Sequence, residues 1–559
     1  MKKFKNIFLL LFSSVLLFAA CSEDALEIPQ KGVIPVESFY ITDADAQSAL
    51  VDAYKDLSSN VGGSVGNYNA DDILFNYEAD NMLAAGERYG DNDYLAAINE
   101  FRFDADNEVV GNAYKRLYFV IYHSNLVIDN FKYGVSPVKD RCISEARVIR
   151  AWCHMMAAMA WGTPPLVEHV LTADAKPENY KGTHEELLRW CAKECEEAAA
   201  YIPERVNTSD KDGSVRVTKG FALTVQGKAL LYAGDYAAAK IPLKAVISSN
   251  KYALVPGARW RDLFHVEGDG CEEKVLEMNL VYSSSLSLTF RTTFQEANLW
   301  GWRTDRLVSK PVDQGVNGWG GVAVEETFAN EFYAHDGDSY RRKATMVSYN
   351  EFITELRWTT DNTKTTTALK LTDPGRGIKT AQGLYGQCGF LQKKRITSTE
   401  DLQGKTYGFN NYIIERYADV LLMYAEACAQ TNDADGLKSL QDVQSRSGSG
   451  KISTTLTLAD VKMERNYELW MEGARWIDMK RWGELDKAKN AGKHIPTLMD
   501  AFNGNETGVK EAQHRGYVTY SEPNTGKTIG FVAGKHEYFP YPAPVIRTNP
   551  ILKQNPGWQ

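Results

Sequence analysis

Residues 216–239 read RVTKGFALTVQGKALLYAGDYAAA, and this stretch decides the fold. Apolar residues recur at helical spacing from Thr218 to Ala233. Gly234-Asp235-Tyr236 then interrupts the pattern, and a second helical period runs from Ala237 to Ser248. Ala229, Ala233, Gly234 and Ala238 cluster around the turn, with leucines and tyrosines beside them. Small residues let two helices approach closely, and an aromatic ring fills the angle between them.

Working outward, the G-x-Y turn between two short helices has the layout of a tetratricopeptide unit. Tyr417–Gln430 followed by Ala434–Arg446 reads as another such pair. The pairs do not recur at the regular ~34-residue spacing, so the repeat set is divergent and interrupted. Helical periods also cover DADAQSALVDAYKDL (43–57), residues 107–131, Ile143–Trp161, Leu187–Tyr201 and Leu458–Trp482. Gly162 and Pro164-Pro165 stop the third of these. Residues 60–70 are rich in Gly and Asn and read as a loop. Residues 257–410 are rich in Gly, Thr, Asn and Asp, with short apolar runs such as VLEMNLVY at 275–282. The C-terminus, YFPYPAPVIRTNPILKQNPGW, carries five prolines, which predicts an extended wrap over the helical body. The expected class is therefore mainly α. Tetratricopeptide-like helix pairs form a scaffold (mainly 37–256 and 411–485), with an irregular loop-rich lobe (about 257–410) inserted among the helices. An extended segment (about 486–559) closes the chain.

The N-terminus sets the compartment. MKKFKNIFLLLFSSVLLFAACSED has a basic start at Lys2, Lys3 and Lys5 and an apolar run from Ile7. Ala19 and Ala20 are small residues directly before Cys21. This is a secretory leader with the cysteine of a bacterial lipoprotein signal, although Phe18 stands where such signals usually carry Leu. Residues 1–20 would be removed, Cys21 would carry lipid, and 21–36 would form a tether punctuated by Pro29, Gly32 and Pro35. The apolar run is shorter than the ~20 residues that span a bilayer. Ser22-Glu23-Asp24 resembles an export signal towards the outer cell surface.

The 559-residue chain carries a formal charge of −9, and loss of the three leader lysines takes it to −12. No basic stripe is present, which argues against a nucleic-acid partner. Eight cysteines show no CxxC or Cys/His metal spacing, and seven remain once Cys21 is lipidated. They read as small buried apolar groups. So acidic a secreted chain is compatible with a structural calcium. No EF-hand loop is present, however, and no metal or cofactor is expected.

Chemistry-bearing residues fall in two groups. Glu468 and Glu472 lie one helical turn apart, the arrangement a two-carboxylate glycosidase would need. Arg465 and Arg475 stand three residues from them and would lower their pKa values, the wrong direction for a general acid. Ion pairing is the expected role, and no GxSxG, HExxH or P-loop motif supplies another catalytic set. The second group is aromatic. Segment 298–321, NLWGWRTDRLVSKPVDQGVNGWGG, places Trp300, Trp302 and Trp319 among glycines and polar groups. An exposed indole stacks on the apolar face of a sugar ring, while Asn298, Arg303, Asp305 and Asn317 are available to its hydroxyls. YNADDILFNYEADN (68–81) with Arg88, Tyr89 and Tyr94 has the same chemistry. From these segments Trp300, Trp302, Trp319, Arg303, Asn317, Tyr89, Asn69 and Asp72 are the expected ligand contacts.

Taken together, several blocks resemble the SusD/RagB-like outer-membrane lipoproteins. They are SFYITDADAQSAL (38–50), ISEARVIRAWCHMMAAMAWGTPPLV (143–167), the opening stretch, YIIERYADVLLMYAEA (412–427), ERNYELWMEGARWIDMKRWG (464–483) and NPILKQNPGW (549–558). Cys153-His154-Met155-Met156 departs from the aromatics more usual there. The resemblance implies a non-catalytic, surface-facing glycan-binding protein, lipid-anchored through Cys21. It would act as a lid on a SusC-like TonB-dependent outer-membrane transporter. It also implies that the irregular loop-rich lobe carries the binding face. The family's ligand contacts follow no fixed motif, so the residues named above rest on chemistry and on lying in the family's variable regions. A peptide-binding lid of the same architecture is the alternative, and a hydrolase using Glu468 and Glu472 ranks below it.

Overall fold

The computed structural model describes residues 39–58, 70–87, 91, 93–280, 299–307, 311–356, 378, 383–404, 408–488, 496–500, 516–520 and 530–559. Among the described residues the chain is mainly helical, with short strands in and beside the lobe and at Met82–Ala84, Pro496–Asp500 and Gly516–Tyr520. Helices Asp43–Ser58, Glu108–Asn130, Pro137–Trp161, His184–Ala198, Lys219–Tyr232 and Tyr236–Ser248 pack against their neighbours in succession. Helix Tyr236–Ser248 then packs on Tyr417–Gln430, which in turn meets Leu437–Ser447 and Leu458–Glu468. The helical stack thus continues across the intervening lobe as if the two ends of that insertion were adjacent.

Local chemistry explains the opening helix pair. The Thr218 side chain accepts from the Phe221 amide and caps the first helix. Gly227 meets Leu243 of the second helix so closely that a Cβ would stand 2.5 Å from Leu243 Cγ. Thr183 and Glu186 form a reciprocal capping box at the start of helix His184–Ala198. Ser136 caps Pro137–Trp161, with Pro137 in the first turn where its missing amide costs nothing.

Two expectations need correction. Leu458–Trp482 is not one helix. It ends at Glu468, turns through Met471 (φ 61°) and resumes at Arg475–Arg481. The turn frees the carbonyls of 468–471 for buried cations. Lys394 Nζ donates to the Glu468 and Trp470 oxygens (3.0 and 2.7 Å), and Arg416 donates to the Glu468 oxygen at 2.8 Å. The C-terminus does wrap the body, but it includes a short helix, Ala543–Thr548, with proline in its first turn. Phe539 and Tyr541 enter the core, and Trp161 Nε1 donates to the Pro540 carbonyl at 3.0 Å.

Small antiparallel ladders form within the lobe and between it and flanking segments. Met82–Ala84 pairs with Val322–Val324, Lys274–Met278 with Tyr412–Arg416, and Met346–Ser348 with Phe390–Gln392. Pro496–Asp500 lies between Leu384–Tyr385 and Gly516–Tyr520. The scaffold has one large apolar core, and the lobe has a second around Trp302, Phe352, Leu384 and Leu498. Cys142, Cys153, Cys191, Cys195, Cys271, Cys388 and Cys428 are buried free thiols, as the cysteine pattern predicts. No helix among the described residues is long and apolar enough to cross a membrane.

Candidate functional site

Segment 299–321 folds back on itself. The Gly318 amide donates to the Trp302 carbonyl (2.8 Å), Gly320 to Gly301 (2.9 Å) and Gly321 to Leu299 (2.7 Å). Gln314 ties the bend: its side chain accepts from the Trp302 amide and donates to the Trp302 and Val316 carbonyls. Gly318 is required here, since a Cβ would stand 2.1 Å from the Gly301 carbonyl carbon. The glycines therefore serve the close approach of two backbone arms.

This geometry corrects the expectation for two tryptophans. Trp300 and Trp302 are 0% and 1% exposed. Trp300 Nε1 donates to the Tyr77 hydroxyl (3.2 Å), and the Arg395 guanidinium lies 4.9 Å from its ring centre. Trp302 Nε1 donates to the Gln392 carbonyl (2.8 Å), and its ring meets Phe352 edge-on. Neither indole offers a face to a ligand. Asp72 is also internal: its carboxylate accepts from the Tyr412 hydroxyl and lies 3.7 Å from Arg395. Asn69, Tyr89 and Cys21, with Arg88 and Asn298, lie outside the described residues.

The outward side of the same hairpin carries the other expected contacts. Residues 316–320 alternate, with Asn317 and Trp319 facing solvent and Val316, Gly318 and Gly320 facing in. Trp319 is 53% exposed. Asn317 Oδ1 accepts from the Thr304 hydroxyl and the Asp305 amide, both at 3.1 Å. Arg303 makes a two-pronged pair with Asp305 (2.7 and 2.6 Å), donates to the Tyr385 hydroxyl and stacks on its ring at 5.3 Å. The Arg303 hydrogen bonds hold the Asp305 carboxyl below the usual range despite partial burial. Arg306 faces the same ring at 5.2 Å and pairs with Glu87 at 3.2 Å. The site thus brings Trp319, Asn317 and Arg303 to one rim. Tyr385, Arg306 and Glu87, which the sequence reading missed, join it through tertiary contacts that no local spacing signals.

Glu468 and Glu472 are in a different environment. Glu468 accepts from Arg416 (2.7 Å), Arg341 (3.1 Å) and Arg446, and Trp260 Nε1 also donates to it (3.3 Å). Burial would raise its pKa, but Arg446, Arg416 and Arg341 outweigh burial and hold it well below the usual carboxylate range. Glu472 is likewise lowered by Arg416 and Lys394 against the effect of burial. Ion pairing is as expected, but the partners differ. Arg465 pairs with Asp419 and Asp478, and Arg475 with Asp80. Carboxylates caged by guanidinium groups cannot serve as a general acid.

Residues 292–558 match the SusD family model. A SusD-like protein of Bacteroides ovatus is 23% identical, over 99% of this chain and 98% of that protein. SusD-like protein P38 of Formosa agariphila is 25% identical, over 86% and 92%. The chain is thus similar to SusD-like proteins. Solved structures of SusD-like proteins share its fold. Surface glycan-binding protein A from Bacteroides fluxus aligns with a TM-score of 0.69 at 20% identity, over 92% of this chain and 99% of that one. Its namesake from Bacteroides thetaiotaomicron, in complex with laminarihexaose, aligns at 0.67 and 20%, over 92% and 100%.

Proposed function

We propose that this chain is a non-catalytic, cell-surface glycan-binding lipoprotein that captures oligosaccharide and passes it to a SusC-like TonB-dependent outer-membrane transporter. The observation that carries the reading is Trp319. It is a solvent-facing indole on a glycine-tightened hairpin, with Asn317 and the Arg303–Asp305 pair beside it. The indole would stack on the C–H face of a sugar ring, and the polar row would orient its hydroxyls. The SusD-like relatives support this reading, one of them in a structure with laminarihexaose and another described as laminarin-binding. Lipid on Cys21 would hold the protein at the outer membrane. The ion pairs that cage Glu468 and Glu472 argue against a two-carboxylate route to hydrolysis.

Parallel glycan and peptide arrays test the proposal. Retention on a defined set of oligosaccharides, with none released as shorter products, is the expected result. Binding to peptides with no glycan retained would overturn it.

A further inference from the structure

We infer that the Trp319 site selects uncharged glycans, and that Asp305 and Glu87 enforce this by neutralising the two guanidinium groups at its rim. The inference rests on the glycan-binding reading above. Arg303 and Arg306 both face the Tyr385 ring, at 5.3 and 5.2 Å. Two adjacent guanidiniums beside a sugar-stacking indole would ordinarily suit a uronate or a sulfate ester. Here each is already paired. Asp305 engages Arg303 through Nε and Nη2, and Tyr385 takes Nη1. Glu87 engages Arg306, and Asp91 lies alongside, its carboxylate accepting from the Glu87 amide at 3.0 Å.

Among the described residues the rim therefore holds two cations and three carboxylates. Asp305 and Glu87 are more exposed than the guanidinium groups they pair with, their side chains 46% and 62% exposed against 26% for Arg303 and 14% for Arg306, and Asp91 is exposed as well. An incoming anion meets carboxylates first and would have to displace Asp305 from a two-pronged pair. A neutral sugar needs no such exchange. The Arg303–Asp305 pair sets a donor beside an acceptor, which matches a pair of vicinal hydroxyls. At a half-exposed rim, one repelled unit charge a few ångströms away weakens binding by about tenfold.

The test uses matched probes, so that linkage does not confound charge. Each neutral hexasaccharide retained on the array is paired with the same sugar oxidised at C6 to the uronate. Both are titrated into the wild-type protein, Asp305→Asn and Glu87→Gln, at low and high salt. The expected result is that the uronate binds wild type about tenfold more weakly than its parent. Each variant should narrow that ratio, and high salt, which shortens the screening length to about 3 Å, should erase the difference. A uronate that binds wild type as tightly as its parent overturns the inference. So does a ratio that neither variant moves. If wild type binds no glycan at all, the glycan-binding reading itself falls, a result distinct from either of these.

Discussion

At Trp300 the indole nitrogen donates to Tyr77 and no part of the ring reaches solvent, whereas Trp319 on the facing arm is about half exposed. Trp300→Ala would open a cavity beneath the hairpin, with an expected loss of about 3–5 kcal/mol in denaturant unfolding. Glu78 poses a different residue-scale problem. It is fully buried, and no hydrogen bond reaches either carboxylate oxygen. Burial pushes its pKa well above the ordinary value of 4.5, with buried Lys480 as the charge that counters it. A carboxyl raised in the folded state binds its proton more tightly there than in the unfolded chain. Its contribution is thus fully present below about 4.5 and is lost as pH rises towards the folded value. Glu78→Gln should therefore melt close to wild type at about pH 4.5 and above it at pH 8. An unchanged gap across that range would contradict the burial argument. The two tryptophans also show why sequence misleads at this scale. Glycines around Trp300 and Trp302 read as solvent-exposed loop, but they permit two backbone arms to touch, and that contact turns the rings inward.

Among the elements, the guanidinium cage around Glu468 joins the helix Leu458–Glu468 to strand Tyr412–Arg416 through Arg416 and to the lobe through Arg341. Removing the carboxylate leaves three buried cations without their shared partner. Glu468→Gln should cost about 3–5 kcal/mol in denaturant unfolding. Because the Glu468 pKa is depressed in the folded state, its contribution is present above the unfolded value near 4.5 and lost as pH falls below it. The variant should accordingly lose less stability than wild type on acidification from pH 5 to pH 3. Helices with clear stops are legible in the sequence: Tyr417–Gln430 lies where its periodicity places it, and Gly162 ends Pro137–Trp161 as expected. The break at Met471 is not legible. It depends on Lys394, Arg395 and Arg416, which are distant in sequence and take up the freed carbonyls.

For the whole molecule, the scaffold is continuous through helices Tyr236–Ser248 and Tyr417–Gln430, so the stack does not depend on the inserted lobe for its continuity. Much of this architecture is readable from the helix–turn–helix pairs. The site is readable only in part: Trp319, Asn317 and Arg303 share a rim, but Tyr385 and Glu87 reach it from separate segments. The proposed anchor gives a prediction at this scale. Cys21→Ala should move the protein from the membrane fraction to the soluble fraction without changing its affinity for glycan.

The central claim, that a surface-facing indole on this scaffold captures glycan, is tested most directly by calorimetry of wild type and Trp319→Ala. The titrant is the neutral oligosaccharide retained on the array. The account predicts a loss of affinity of about tenfold or more, with an unchanged melting temperature. Full affinity in Trp319→Ala, with the fold intact, would contradict it.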